Sequence, residues 1–116
     1  TMDSAVITQM NRRGQIRGCI IDGPLSLDNA ISEKYAQIKQ IDGPVAGKAQ
    51  ILVSSDLREA NNVSKAIIHY AGRNACSILA GTTLPVVMTS RTDVQKNKLN
   101  TIAMACYLLK KSKSGY

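Results

Sequence analysis

The stretch Thr89-Ser90-Arg91-Thr92-Asp93 carries the sharpest chemical signal in this chain. It follows the apolar run Leu84-Pro85-Val86-Val87-Met88 and precedes a long helical pattern. A helix start offers unpaired backbone N–H groups and the positive end of the helix dipole. Ser90 adds a hydroxyl donor and Arg91 a forked cation, and both suit a phosphate. The same letters have a plain structural use: Asp93 caps the helix, Ser90 bonds the turn, and Arg91 pairs with a surface acid.

Two further polar stretches stand at strand-to-helix junctions. Asp22-Gly23-Pro24-Leu25-Ser26-Leu27-Asp28 places two carboxylates six residues apart around a turn. Converging, they would make an acid/base pair or a metal site; separately, they are a turn former and a helix cap. The other stretch offers Asp56, Glu59, Asn61, Asn62 and Lys65. It reads either as a polar wall for a ligand or as a loop and cap. His69, the one histidine, sits beside Ile67, Ile68 and Tyr70 without a partner motif and reads as structural. Cys19, Cys76 and Cys106 are far apart, with no C-x-x-C pair, so zinc and redox motifs have little support. Their apolar surroundings predict buried free thiols in a reducing cytoplasm. Neither G-x-G-x-x-G nor G-x-x-x-x-G-K-[ST] occurs, which weakens dinucleotide and P-loop readings.

The elements that must hold these residues follow from periodicity. Asp3 to Met10 reads as a helix capped by Asp3 or Ser4, with Gly14 beyond it. Gly18-Cys19-Ile20-Ile21 reads as a buried strand ending at Asp22-Gly23-Pro24. Asp28 would cap a helix bearing Ala30, Ile31, Tyr35 and Ile38. Gln50 to Val53 is a second strand. A helix from Asn61 to Tyr70 sets Val63, Ile67 and Tyr70 on one face, and Gly72 closes it. Ala75 to Leu79 and Leu84 to Met88 are the third and fourth strands. The last helix runs from Asp93 to Lys110 with Leu99, Ile102, Ala103, Cys106 and Leu109 inward. Short apolar strands alternating with amphipathic helices predict an α/β fold, a mostly parallel sheet flanked by helices. In such sheets the loops after the strands' carboxyl ends share one edge and carry the ligand site.

Composition bounds the rest. The 116 residues are 44% hydrophobic and 20% charged, suiting one soluble domain. There is no Phe or Trp and only four Tyr, so a base-stacking nucleic-acid surface is disfavoured. No apolar run approaches the ~20 residues of a membrane span, and no signal peptide opens the chain. The chain begins Thr1-Met2, which reads as an expression scar or a piece cut from something longer. Residues 1–59 hold seven basic and seven acidic side chains; residues 60–116 hold eight basic and one acidic, accounting for the whole +7. A basic half suits nucleic acid, an anionic membrane or a phosphorylated small molecule. The Lys110, Lys111, Lys113 cluster reads as a solvated basic terminus, with no nucleic-acid motif beside it.

In order and spacing, several segments together resemble the phosphate acetyl/butyryltransferase family. They are Arg13-Gly14-Gln15-Ile16 with Gly18, Asp22 to Ser32, Pro44 to Val53, Asp56-Leu57, Ala71-Gly72, Pro85 to Asp93, and Lys98 to Ala105. Asp93, two positions after the Ser-Arg pair, resembles the butyryl-type branch more than the acetyl-type. The resemblance implies reversible acyl transfer between coenzyme A and inorganic phosphate. It also implies an isocitrate dehydrogenase-like α/β/α fold with the site in a cleft between two lobes. Ser90 would stabilise the oxyanion, Arg91 would hold phosphate, and a carboxylate would help deprotonate the coenzyme A thiol. In acetyl-type members that acid stands seven residues after the serine; here that position is Asn97, and Asp93 is the nearest candidate. Asp22, Asp28, Asn61 and Lys65 are the further substrate-binding candidates. The family pattern near Asp56 continues Ala-Gly-Asn, where this chain has Arg58-Glu59-Ala60-Asn61.

Residues 1–116 would thus be the C-terminal domain of a longer cytoplasmic, homodimeric acyltransferase without its N-terminal lobe, and weak or inactive alone. Its partners would be acyl phosphate, phosphate and coenzyme A, the last as substrate; no metal, other cofactor, nucleic acid or membrane is implied. Two rivals remain open. One is a non-catalytic phosphoryl-ligand binding module. The other is a metal-dependent hydroxyacid dehydrogenase with Asp22 and Asp28 as ligands, against which Thr89-Ser90-Arg91 argues.

Overall fold

The computed structural model describes residues 1–113, with side chains as far as Lys111; Lys113 of the basic cluster has its side chain outside the described residues. The chain forms two units, Thr1–Asn62 and Val63–Tyr116. Among the described residues no helix is long and apolar enough to cross a membrane.

The first unit opens with α1, Met2–Arg12. Thr1 is the N-cap, while Asp3 sits in the first turn, where its carboxylate complements the helix dipole. Gly14 at φ +70 ends α1 in a Schellman turn: Gly14 N–H donates to the Asn11 carbonyl (2.9 Å) and Gln15 N–H to that of Met10 (2.9 Å). The segment after it is not a strand. Asn11 Nδ2 donates to the carbonyls of Ile16 (2.9 Å) and Cys19 (3.0 Å), and its Oδ1 accepts from Ile21 N–H (3.0 Å). One side chain thus takes backbone groups that a neighbouring strand would have paired.

The single helix expected after Asp28 is two: α2, Leu27–Ile31, and α3, Glu33–Ile38. Ser26, not Asp28, is the N-cap of α2. Ser32 leaves helical geometry at φ −135 and ψ 113, and its hydroxyl accepts from Tyr35 N–H at 3.4 Å to start α3. A serine competing for backbone in this way interrupts a helix that apolar spacing alone would continue. Residues 47–49 run beside α2, with Gly47 N–H on the Asn29 carbonyl (2.6 Å) and Ala49 N–H on that of Ala30 (2.9 Å). Beyond them the strand expected at Gln50–Val53 does not form. Ile51 is 80% exposed and Val53 87%.

Helix α4, Leu57–His69, starts four residues earlier than its apolar spacing suggests. Asp56 Oδ1 accepts from Glu59 N–H (2.9 Å), and Glu59 Oε2 reaches back to Ser55 N–H (3.2 Å). This is the reciprocal logic of a capping box. Gly72, at φ +61, follows the helix as expected.

In the second unit β1, Ile78–Leu79, pairs with β2, Val86–Val87, in register Ile78↔Val87 and Leu79↔Val86. The pair is antiparallel, so the mostly parallel sheet is corrected to a mixed helix and strand chain with one small antiparallel pair. Parallel strands are stable when both faces are covered, and the runs at 18–21 and 50–53 have no neighbouring strand. Helix α5, Gln95–Lys113, packs on both strands. Its buried stripe is Asn97, Thr101 and Ala105, four residues apart, while Leu99, Ile102 and Cys106 are exposed. Cys19 and Cys76 are exposed too, so the expectation of buried thiols is corrected: an apolar stretch need not turn its cysteine inward.

Candidate functional site

Ser90 lies three residues after β2, in the loop that leads into α5. The loop is a closed turn. Asp93 N–H donates to the Ser90 carbonyl (3.1 Å), and Ser90 N–H donates to Asp93 Oδ2 (2.8 Å). The Asp93 carboxylate therefore turns back on Ser90 instead of capping α5. Ser90 Oγ stands 3.0 Å from Thr92 Oγ1 and accepts from Thr92 N–H at 3.4 Å. With its N–H committed, the group Ser90 can turn to a ligand is its hydroxyl, at the expense of the contact with Thr92.

Arg91 is exposed and forms no ion pair among the described residues. Lys96 and Lys98 follow in the first turn of α5, which carries no acid. Cations at a helix N-terminus oppose the dipole and cost stability unless an anion is shared between them. Thr92, Lys96 and Lys98 were not singled out from sequence, although their signal was legible: a hydroxyl two residues from Ser90 and lysines where a helix favours acids.

Asn97, the residue seven after Ser90, is 3% exposed and faces inward. Its Oδ1 accepts from Ala75 N–H at 3.2 Å. It is engaged with backbone and does not occupy the place of an acid facing substrate.

The other candidates have separate partners. Asp22 Oδ1 accepts from Gly23 N–H (3.0 Å), and its carboxylate lies where a Cβ on Gly43 would have to sit. The two Asp-Gly-Pro turns thus approach closely, and a side chain at 43 would have to displace the Asp22 carboxylate. Asp28 accepts from Lys39 Nζ (2.7 Å), Ser26 Oγ (2.6 Å) and Asn29 N–H (2.9 Å). The Lys39 and Ser26 bonds hold the Asp28 carboxyl down at about 2. Asp22 and Asp28 share no hydrogen-bond partner, and the described residues gather no group of three His, Cys, Asp or Glu able to hold a metal. Asn61 and Lys65, four apart on α4, share one helix face; Asn61 is exposed and Lys65 half-buried. The sheet edge that was to collect all three loops is not formed, because two of its strands are absent.

Residues 1–106 match the phosphate acetyl/butaryl transferase family. The chain belongs to that family. Among its relatives, phosphate acetyltransferase of Thermotoga maritima is 47% identical over 105 residues, covering 90% of this chain and 36% of the relative. Phosphate butyryltransferase of Clostridium beijerinckii is 43% identical over 113 residues, 97% of this chain and 37% of the relative. A branched-chain phosphotransacylase from Enterococcus faecalis V583 has a similar structure, with TM-score 0.74 and 30% identity over 87% of this chain and 37% of that one. The chain thus spans little more than a third of these proteins' length. Identity of 47% and 43% leaves the acetyl- and butyryl-named relatives nearly level.

Proposed function

We propose that this chain is the C-terminal portion of a phosphate acyltransferase, an enzyme that moves a short acyl group reversibly between coenzyme A and inorganic phosphate. The observation that carries the reading is the Ser90–Asp93 turn, with an unpaired Arg91 and two lysines at the start of α5, in a chain of this family. The coenzyme A thiolate attacks the carbonyl carbon of the acyl phosphate, the carbonyl oxygen takes the negative charge, and collapse expels phosphate as the thioester forms. Ser90 Oγ–H donates to that oxyanion. Arg91 holds the phosphoryl oxygens through charge-assisted bonds, with Lys96 and Lys98 adding positive field. Asp93 is the carboxylate nearest the reaction; with Oδ2 held by Ser90 N–H, Oδ1 is the oxygen that would take the thiol proton. Lys65 adds a cation for the phosphates of coenzyme A.

The remaining two thirds of such a protein would supply the second lobe of an isocitrate dehydrogenase-like fold. It would also supply the strands that the runs at 18–21 and 50–53 lack, in a cytoplasmic homodimer. Coenzyme A enters as substrate, and no cofactor takes part.

The test is thioester formation from acetyl, butyryl or branched-chain acyl phosphate and coenzyme A, measured on the protein as encoded. Ser90→Ala should lower kcat ~100-fold with a smaller change in KM, because the bond is made in the transition state. Phosphate binding without any thioester formation would favour a non-catalytic binding module instead.

A further inference from the structure

The turn that holds Ser90 is strung between β2 and α5, and both of its ends are tied to one segment, Ala75–Leu79. On the β2 side, the ladder pairs Ile78 with Val87, and Met88 N–H donates to the Ser77 carbonyl at 3.4 Å. On the α5 side, Asn97 Oδ1 accepts from Ala75 N–H and Thr101 Oγ1 accepts from Ser77 N–H, each at 3.2 Å. Two helix side chains one turn apart thus take alternate N–H groups of an extended segment, as a neighbouring strand would. The Ser77 peptide is the shared joint: its N–H is held by α5 and its carbonyl by the residue two before Ser90.

Thr101 is built for this. It is 1% exposed, and its own hydroxyl proton goes to the Asn97 carbonyl at 2.9 Å, which orients the oxygen as an acceptor for Ser77. Both groups lie on the stripe that apolar spacing would fill with Leu or Ile.

We propose that Thr101 and Asn97 are positioning residues that fix the Ser90–Arg91 turn by clamping Ser77 and Ala75 to α5. In its kinetic consequence the inference rests on the acyltransferase reading; in its structural content it does not. Placement errors near 1 Å cost a reacting group ~100-fold in rate, so the clamp matters to a hydroxyl aimed at a transient oxyanion.

The experiment uses Thr101→Val, which keeps shape and loses the acceptor, Thr101→Ser, which keeps the acceptor, and Asn97→Leu, which removes the neighbouring one. Amide hydrogen exchange is followed residue by residue in the protein as encoded, beside steady-state kinetics with each substrate varied. Thr101→Val should speed exchange at Ser77 and Ser90 by ~10-fold or more while the amides of α1 keep their rates. It should lower kcat and raise KM for acyl phosphate, with KM for coenzyme A unchanged. Thr101→Ser should restore both readouts. Simple loss of folded protein lowers kcat alone and leaves each KM in place. Asn97→Leu should speed exchange at Ala75 and repeats the test if Thr101→Val fails to fold. Unchanged exchange at Ser77 and Ser90, or uniform acceleration through every helix, would overturn the clamp. Faster exchange with wild-type kinetics would overturn its role in transfer. No thioester formation by the unaltered protein would overturn the function reading, and the exchange rates would still decide the clamp.

Discussion

Asp93 stands two positions beyond Arg91, and its Oδ2 belongs to the Ser90 N–H at 2.8 Å. Arg91 stands between the two ends of that bond, and among the described residues its guanidinium has no ion pair. A guanidinium offers a planar fork to two phosphoryl oxygens, and an ammonium on a flexible stem does not. Arg91→Lys should therefore raise KM for acyl phosphate roughly 10-fold and leave that for coenzyme A within about twofold, in kinetics with each substrate varied in turn. Small equal effects on both would return Arg91 to the surface. Asp28 shows the contrasting case, a carboxylate already satisfied. Its bonds to Lys39 and Ser26 lower its pKa from 3.8 to about 2. A carboxyl depressed on folding stabilises the folded state above its unfolded pKa, and loses that contribution as pH falls through the folded one. Urea midpoints measured between pH 5 and 2 should show a decline below about pH 4 that is smaller in Lys39→Met. An identical pH profile in the two proteins would detach Lys39 from Asp28.

Among the elements, α1 gives the cleanest test of how a run that looks like a strand became a loop. Asn11 bonds Ile16, Cys19 and Ile21 at once. Asn11→Ala should cost about 2 kcal/mol in chemical unfolding, since each net bond is worth about 0.5–1.5 kcal/mol and two of the three are part-buried. Asn11→Asp should do no better, because it keeps the acceptor for Ile21 N–H and turns a carboxylate toward two carbonyls. A stability loss confined to Asn11→Ala would mean that packing, not bonding, matters at this position. The same example separates what was legible from what was not. Gly14 placed the end of α1, because a left-handed residue closes the turn there, and Gly72 placed the end of α4 to within three residues. The long pattern of α5 was plain, though not its inward face: Asn97 and Thr101 are buried because two backbone N–H groups have no strand to meet. The runs at 18–21 and 50–53 state that their side chains belong away from water, and nothing in a single run names what covers them. Ser90, Arg91 and Asp93 were legible as a turn before a helix. The direction of the Asp93 carboxylate was not, because a cap and a turn clasp ask for the same residue type.

Across the whole molecule the apolar surface is out of proportion to the core. Among the described residues the buried hydrophobic ones are Ala30, Ala36 and Ala105, whereas Leu57 and Ile67 of α4, Tyr70 just beyond it, and Leu99, Ile102 and Tyr107 of α5 face water, as do Ile51 and Val53. Isolated exposed apolar side chains are ordinary, but runs of them on successive elements are the kind of surface that a further lobe or a partner covers. Each fully buried side chain of this size is worth about 1.5–3 kcal/mol, so covering even some of them drives association. The 116-residue chain studied alone should therefore bind a hydrophobic dye and show a sedimentation-derived mass that rises with concentration in the range of about 10–100 µM. Ile51→Lys with Val53→Lys should reduce both signals and leave the helical circular dichroism intact, because neither residue lies in a helix or strand. A longer protein that carries the remaining length of the relatives should bind less dye per chain, since the proposed second lobe and partner strands would lie on these same residues. A dye-silent, monomeric 116-residue chain would mean that its apolar side chains find cover within the chain itself, and the argument for a covering lobe would lose its physical basis.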